Sequence, residues 1–193
     1  MSFKYLQKME VKGTAIKSIP QFVKDNYPSR YSEWFNNLPK ESQKIMSERI
    51  SLTKWHKLKW GLVMPTRLIG EMFYADIEKG AFKLGVYSSN MAIKGIYKML
   101  VKVSSPSFIV NRTPSIMSSY YRPCLMDVTQ KSKGRAVLSI LNFPEADITV
   151  DYRVYGWIKN TMAFSRFKSP MVTLQKSMGK GDAVTEFLVE WDD

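Results

Sequence analysis

Gly156-Trp157-Ile158-Lys159-Asn160-Thr161-Met162 leads through Val172-Thr173-Leu174-Gln175-Lys176 and Met178-Gly179-Lys180-Gly181-Asp182 into Glu186-Phe187-Leu188-Val189-Glu190-Trp191. Around Tyr155, Trp157, Ile158 and Met162 the apolar side chains recur at roughly helical spacing, so Gly156-Trp157 reads as the opening of a helix-like run. Residues 172–176 and 185–191 alternate instead, as half-buried strands do, because successive side chains of a strand point to opposite faces. The glycines between the two strands supply a turn. Gly-Lys-Gly-Asp lacks the spacing of a phosphate-binding loop and leads into a strand rather than a helix, so it reads as a hairpin turn.

Working upstream, Leu125–Thr129, a turn at Lys131–Gly134 and Ala136–Ile140 form a second hairpin pattern, and a helix is expected from about Ile148 to Phe164. Nearer the N-terminus the texture is helical. Ile16, Ile19, Phe22 and Val23 make one amphipathic stripe, with Pro20 early in the helix or kinking it and Pro28 ending it. Tyr31, Trp34, Phe35 and Leu38 make a second after Ser29, and Ile45, Met46 and Ile50 a third after Pro39. Thr66–Lys79 is expected to stop at the C′ glycine Gly80. Leu84–Val101 is a longer helix, and Ser105–Ser119 another, interrupted by Pro114. The fold class is therefore α+β, with N-terminal helices packed on a four-stranded antiparallel sheet of β-β-α-β-β order.

The 193 residues are expected to form one domain, 1–193, and an apolar fraction of 45% with 24% charged residues is ordinary for a globular protein. Cys124 is the only cysteine and cannot form an internal disulfide, which points to a reducing, cytoplasmic setting. Met1–Glu10 has no apolar core of a signal peptide, and no apolar run approaches the roughly 20 residues that span a bilayer, so neither export nor membrane insertion is expected. The net charge of +12 is unevenly spread, with 23 basic and 9 acidic residues up to Pro144 and 6 and 8 after it. Such asymmetry suits nucleic acid, an anionic membrane surface or an acidic protein, and it equally suits a solvated lysine-rich surface.

Lys54-Trp55-His56-Lys57-Leu58-Lys59-Trp60 concentrates this character. With Arg67, the cations Lys54, Lys57 and Lys59 form a candidate basic surface, where the tryptophans could stack bases while the lysines meet phosphates or anionic lipid. The competing and favoured reading buries both tryptophans in the core. His56 is the only histidine and has no sequence-local carboxylate to orient it. No Ser-His-Asp, Cys-His or paired-carboxylate arrangement can be built around it, so an enzyme is disfavoured. Tyr87, Met91, Tyr97 and Met99, with Tyr120, Tyr121 and Trp157, could line an apolar cavity, although aromatic and thioether groups at helical spacing more often make plain core.

Gly13 before the first helix, Tyr27 and Trp34 in the second region, Gly80 and Gly85 at the entry to the long helix, Ser105-Pro106 after it, and the Gly-Trp and Gly-Asp pattern at the end stand in a characteristic order. In that order the chain resembles four-vinyl-reductase domains and their myxobacterial-type paralogues, of the superfamily shared with haem nitric-oxide sensors and Golgi-tethering TRAPP subunits. The resemblance implies helices on one face of a four-stranded sheet, an apolar cavity between them and dimerisation through helices. This sequence departs from it twice. Thr185 stands where many four-vinyl-reductase domains have a cysteine, two residues after Ala183, and the Leu84–Val101 helix lacks the histidine that haem-binding relatives use. No metal and no cofactor is therefore expected, haem being disfavoured.

The resulting expectation is a non-catalytic sensor or adaptor. It binds a small apolar ligand in a helix–sheet cavity, or docks a signalling partner, and forms a homodimer. The alternative is a basic-surface binder of nucleic acid or anionic membrane through the N-terminal half. Salt separates the two, because phosphate contacts weaken steeply as ionic strength rises whereas burial of a neutral ligand does not.

Overall fold

The computed structural model describes residues 8–47, 49–94, 105–164 and 170–192. β1 (Glu10–Lys12) runs into α1 (Gly13–Ile16) and α2 (Ser18–Asn26), and a 3-10 turn leads to α3 (Tyr31–Asn37) and α4 (Lys40–Ser47). β2 (Trp55–Lys57), a π-helical turn, α5 (Met64–Tyr74), α6 (Ile77–Lys94) and α7 (Pro106–Tyr120) follow. β3 (Tyr121–Arg122), β4 (Leu125–Ser132), β5 (Arg135–Asn142), α8 (Ile148–Ala163), β6 (Met171–Lys176) and β7 (Thr185–Glu190) complete the order.

The four-stranded sheet has the order β4-β5-β7-β6 and is antiparallel throughout, so the expected β-β-α-β-β arrangement is the one observed. Leu138 faces Phe187, which faces Leu174, and Ala136, Val189 and Val172 form the next row. These residues share one buried core with Val150, Val154 and Ile158 of α8. Asp151 of α8 accepts hydrogen bonds from Ser177 Oγ at 2.6 Å, Gly179 N at 2.9 Å and Thr185 Oγ1 at 3.0 Å, which docks the β6–β7 turn on the helix. Thr185, at the expected cysteine position, is thus a buried polar tie.

A second sheet, of order β2-β1-β3, pairs Val11 with His56 on one side and Tyr121 on the other. The sequence does not announce it, because strands of two or three residues are too short to show alternation. Trp34 is fully buried among the N-terminal helices, and its indole Nε1 donates to Pro65 O at 3.4 Å.

One helix end differs from expectation, and the start of α8 at Ile148 agrees with it. α5 stops at Tyr74, where Ala75 takes a left-handed conformation at φ 52°, and Gly80 lies inside α6 instead of ending a helix. α8 starts at the cap Asp147, whose carboxylate accepts from Thr149 N at 2.9 Å, so Gly156 is interior to it. α7 also runs through Pro114. The interior glycines are there for close approach. A Cβ on Gly85 would stand 2.1 Å from Arg153 O, and one on Gly156 would stand 2.2 Å from Phe82 O, so the backbones of α6 and α8 touch at their crossing. One turn further along, Ser89 and Thr161 hydroxyls share a buried 2.8 Å hydrogen bond, and Asn160 Nδ2 donates to Asn90 Oδ1 at 2.8 Å and Ser89 Oγ at 3.1 Å.

Gly156→Ala should force the two helices apart, because the obstruction is backbone rather than a movable side chain. We expect a loss of about 2–3 kcal/mol of unfolding free energy, measured by urea denaturation.

Candidate functional site

A partly open cavity of about 470 Å³ lies between α6, α7 and α8, bounded on its fourth side by the β1–α1–α2 segment. Ser88, Met91 and Ala92 come from α6, Thr113, Met117 and Tyr120 from α7, and Val154, Trp157 and Ile158 from α8. Tyr121 of β3 and the polar residues Lys12, Thr14, Lys17 and Ser18 complete the wall. No described residue of the four-stranded sheet lines it, so the cavity is interhelical and not the expected pocket between helices and that sheet. The cavity sits beside the α6–α8 crossing: the glycines bring the two backbones together, and the larger side chains beyond them hold the helices apart.

Four of the residues read from the sequence as cavity lining, Met91, Tyr120, Tyr121 and Trp157, are brought together in this wall. Tyr87 is not. Its hydroxyl donates to the Asp25 carboxylate and its ring meets Phe22 edge-on at 5.3 Å, so it closes the α2–α6 contact one turn before Met91. Tyr97 and Met99 lie outside the described residues.

The basic stretch is dispersed. Lys54, Lys57 and Lys59 are exposed, with Lys59 Nζ 4.6 Å from the Trp60 ring centre. Arg67 is not a free surface cation, because it pairs with Asp147 at 2.9 Å and ties α5 to the start of α8. Trp55 is neither deep in the core nor open for base stacking: the Arg122 guanidinium lies 4.1 Å from its ring centre and Lys12 Nζ 5.7 Å. His56 sits in β2 opposite Val11 and is not part of the cavity wall.

The residue that sequence reading missed is Arg153. It is 3% exposed, and its Nη2 donates to Ala15 O and to Ser18 Oγ at 2.8 Å, both in residues of the cavity wall. Its Nη1 is buried without a hydrogen-bond partner. Burial lowers the guanidinium from its usual range, opposed by the neighbouring Tyr121. Burial also raises the Tyr121 phenol, against the pull of the Arg153 charge. The signal was present in the sequence: Arg153 interrupts the apolar face made by Val150, Val154, Trp157 and Ile158, where a charge is out of place.

Among the described residues no three His, Cys, Asp or Glu side chains come together as a metal site, and no helix is long and apolar enough to cross a membrane. No protein-family model matches the sequence, and no curated protein does. Solved structures match over nearly the whole chain. An H-NOX protein from S. oneidensis in the Fe(II)NO state has a TM-score of 0.70 and 11% identity over 94% of this chain and 99% of that one. An Fe(II) unliganded H-NOX protein from K. algicida gives 0.69 and 9% over 94% and 97%. The Fe(II)CO H-NOX domain of Shewanella oneidensis gives 0.69 and 11% over 94% and 99%. The fold is like that of these H-NOX proteins. The narrower likeness to four-vinyl-reductase domains finds no counterpart among these neighbours.

These neighbours also overturn the expectation that no cofactor is involved, since they are iron proteins and a further neighbour concerns heme distortion in the H-NOX family. The donor chemistry of the cavity fits such a group. Met91 and Met117 offer thioethers and Tyr120 and Tyr121 phenols, both side-chain types that serve as haem ligands. Arg153, Lys12 and Lys17 stand where carboxylates could be met.

Cys124, half-buried, has its thiol pushed up to about 11 by burial, so almost none of it is thiolate at neutral pH. Alkylation of native protein by iodoacetamide should therefore be much slower at pH 8 than that of the unfolded chain and still rising at pH 10. A rate that plateaus near pH 8.5 would contradict the burial.

Proposed function

We propose that residues 1–193 act as one non-catalytic, cytoplasmic sensor domain of H-NOX fold that binds a small, largely apolar ligand in the cavity between α6, α7 and α8. The observation that carries this reading is the 470 Å³ space itself, set beside the α6–α8 crossing and walled by Met91, Met117, Trp157 and Ile158. Ligand burial there favours the arrangement of α6, α7 and α8 that fits it, and so shifts a population of helix arrangements rather than driving chemistry. The change leaves the domain through a homodimer or a signalling partner. The rival reading, a basic-surface binder of nucleic acid or membrane, is weakened because the Trp55 face is already covered by Arg122 and Lys12 and Arg67 is already paired.

Ala92 faces the cavity from α6, so Ala92→Phe should fill it. Native mass spectrometry of the parent protein is expected to show a retained small mass that the variant lacks, while the variant melts no lower than the parent. A parent with no retained mass at any salt concentration, and no ligand-induced rise in melting temperature, would sink the sensor reading.

Haem is the second reading, favoured by the H-NOX neighbours and the donor set. Bound there, it would supply an iron centre for a diatomic gas, with Arg153 and Lys17 available to its carboxylates. Hemin titration should then give a Soret band that is unaltered in His56→Ala, because His56 lies outside the wall. A band that disappears with His56 would place the site elsewhere.

A further inference from the structure

Arg153 is a charge without a counter-charge. Among the described residues no carboxylate pairs with it, and its two partners, the Ala15 carbonyl and the Ser18 hydroxyl, are neutral. Nη1 has no partner at all. Leaving a buried guanidinium in this condition is costly, and sequences that only need to fill space place an apolar residue at such a position. The surroundings repeat the imbalance. Every charged side chain in the cavity wall, Lys12, Lys17 and Arg153, is basic, and none is acidic. The basic groups lie along the β1–α1–α2 side, while Met91, Met117 and Trp157 of the facing helices are apolar.

We infer that the ligand of this cavity is an amphipathic anion, a carboxylate carried on an apolar body, and that Arg153 is its anchoring cation. This deepens the sensor reading and rests on it. The apolar body displaces water from the α6–α7–α8 walls. The carboxylate supplies the missing negative charge and accepts from the Arg153 guanidinium, which is part of the cavity wall and whose Nη1 is buried without a partner. Charge-assisted hydrogen bonds in a desolvated site are stronger than neutral ones, so the protein discriminates against an uncharged molecule of the same shape. A linear acid and a macrocyclic acid share this chemistry, and the test separates them.

The experiment is calorimetric titration of the intact protein with two pairs of probes. Dodecanoate is compared with dodecanol, and metal-free protoporphyrin IX with its dimethyl ester. The acid of one pair at least is expected to bind tenfold or more tightly than its uncharged partner. Arg153→Gln should bring that ratio to near one, and Arg153→Lys should keep part of it. Whichever pair shows the ratio identifies the shape of the body. Equal binding of acid and uncharged partner would overturn the anion inference while leaving the cavity reading intact. Absence of binding in both pairs, with no thermal shift, would overturn both. If Arg153→Gln does not fold, the acid-to-neutral ratio on the unmodified chain decides alone.

Discussion

The contact of α6 with α8 at Gly85 and Gly156 is the constraint on which the rest of the molecule depends. With Cβ positions 2.1 and 2.2 Å from opposing carbonyl oxygens, only glycine lets the two helices close, and closure brings the Ser89, Thr161, Asn160 and Asn90 side chains into one polar clasp. α8 is also the helix that covers the four-stranded sheet through Val150, Val154 and Ile158 and that receives the β6–β7 turn on Asp151. The N-terminal helices meet α6, the sheet meets α8, and the crossing joins the two halves. Small residues at a crossing cost conformational entropy in each helix, which the backbone contact and the clasp offset.

That crossing also explains why there is a cavity. Interiors normally pack to crystal-like density, so a space of about 470 Å³ needs walls that cannot collapse. α6 and α8 are held at their glycines and cannot slide, and α7 is separated from them by Met117, Tyr120 and Trp157. Arg153 sits directly at this junction: its carbonyl is the atom that Gly85 must avoid, and its side chain reaches the opposite way to Ala15 and Ser18. One residue therefore belongs both to the framework and to the cavity wall.

Much of the fold was legible in local pattern. The two hairpins and α8 follow from alternation and helical spacing, and their β-β-α-β-β order is the observed one. The site was legible only in part. Met91, Tyr120, Tyr121 and Trp157 do meet, but Tyr87, one helical turn before Met91, is taken up by Asp25 and Phe22 of α2, a contact that nothing local to α6 announces. Arg67 looked like a surface cation and is an ion-pair partner, since nothing in its own neighbourhood names Asp147, eighty residues away. Gly80 looked like a helix end and is a packing position.

By itself the sequence determined what depends on neighbours along the chain: periodicity, the turn at Gly179–Asp182, the charge asymmetry about Pro144 and the α+β class. Only the tertiary structure decided which faces meet. It turned interior glycines into a helix crossing, assembled a second sheet from three strands too short to be seen, and buried a guanidinium with neutral partners and no counter-charge beside an apolar space. The physical reason is that burial, close approach and charge pairing are properties of contacts between distant segments, and a linear pattern carries the faces but not their partners.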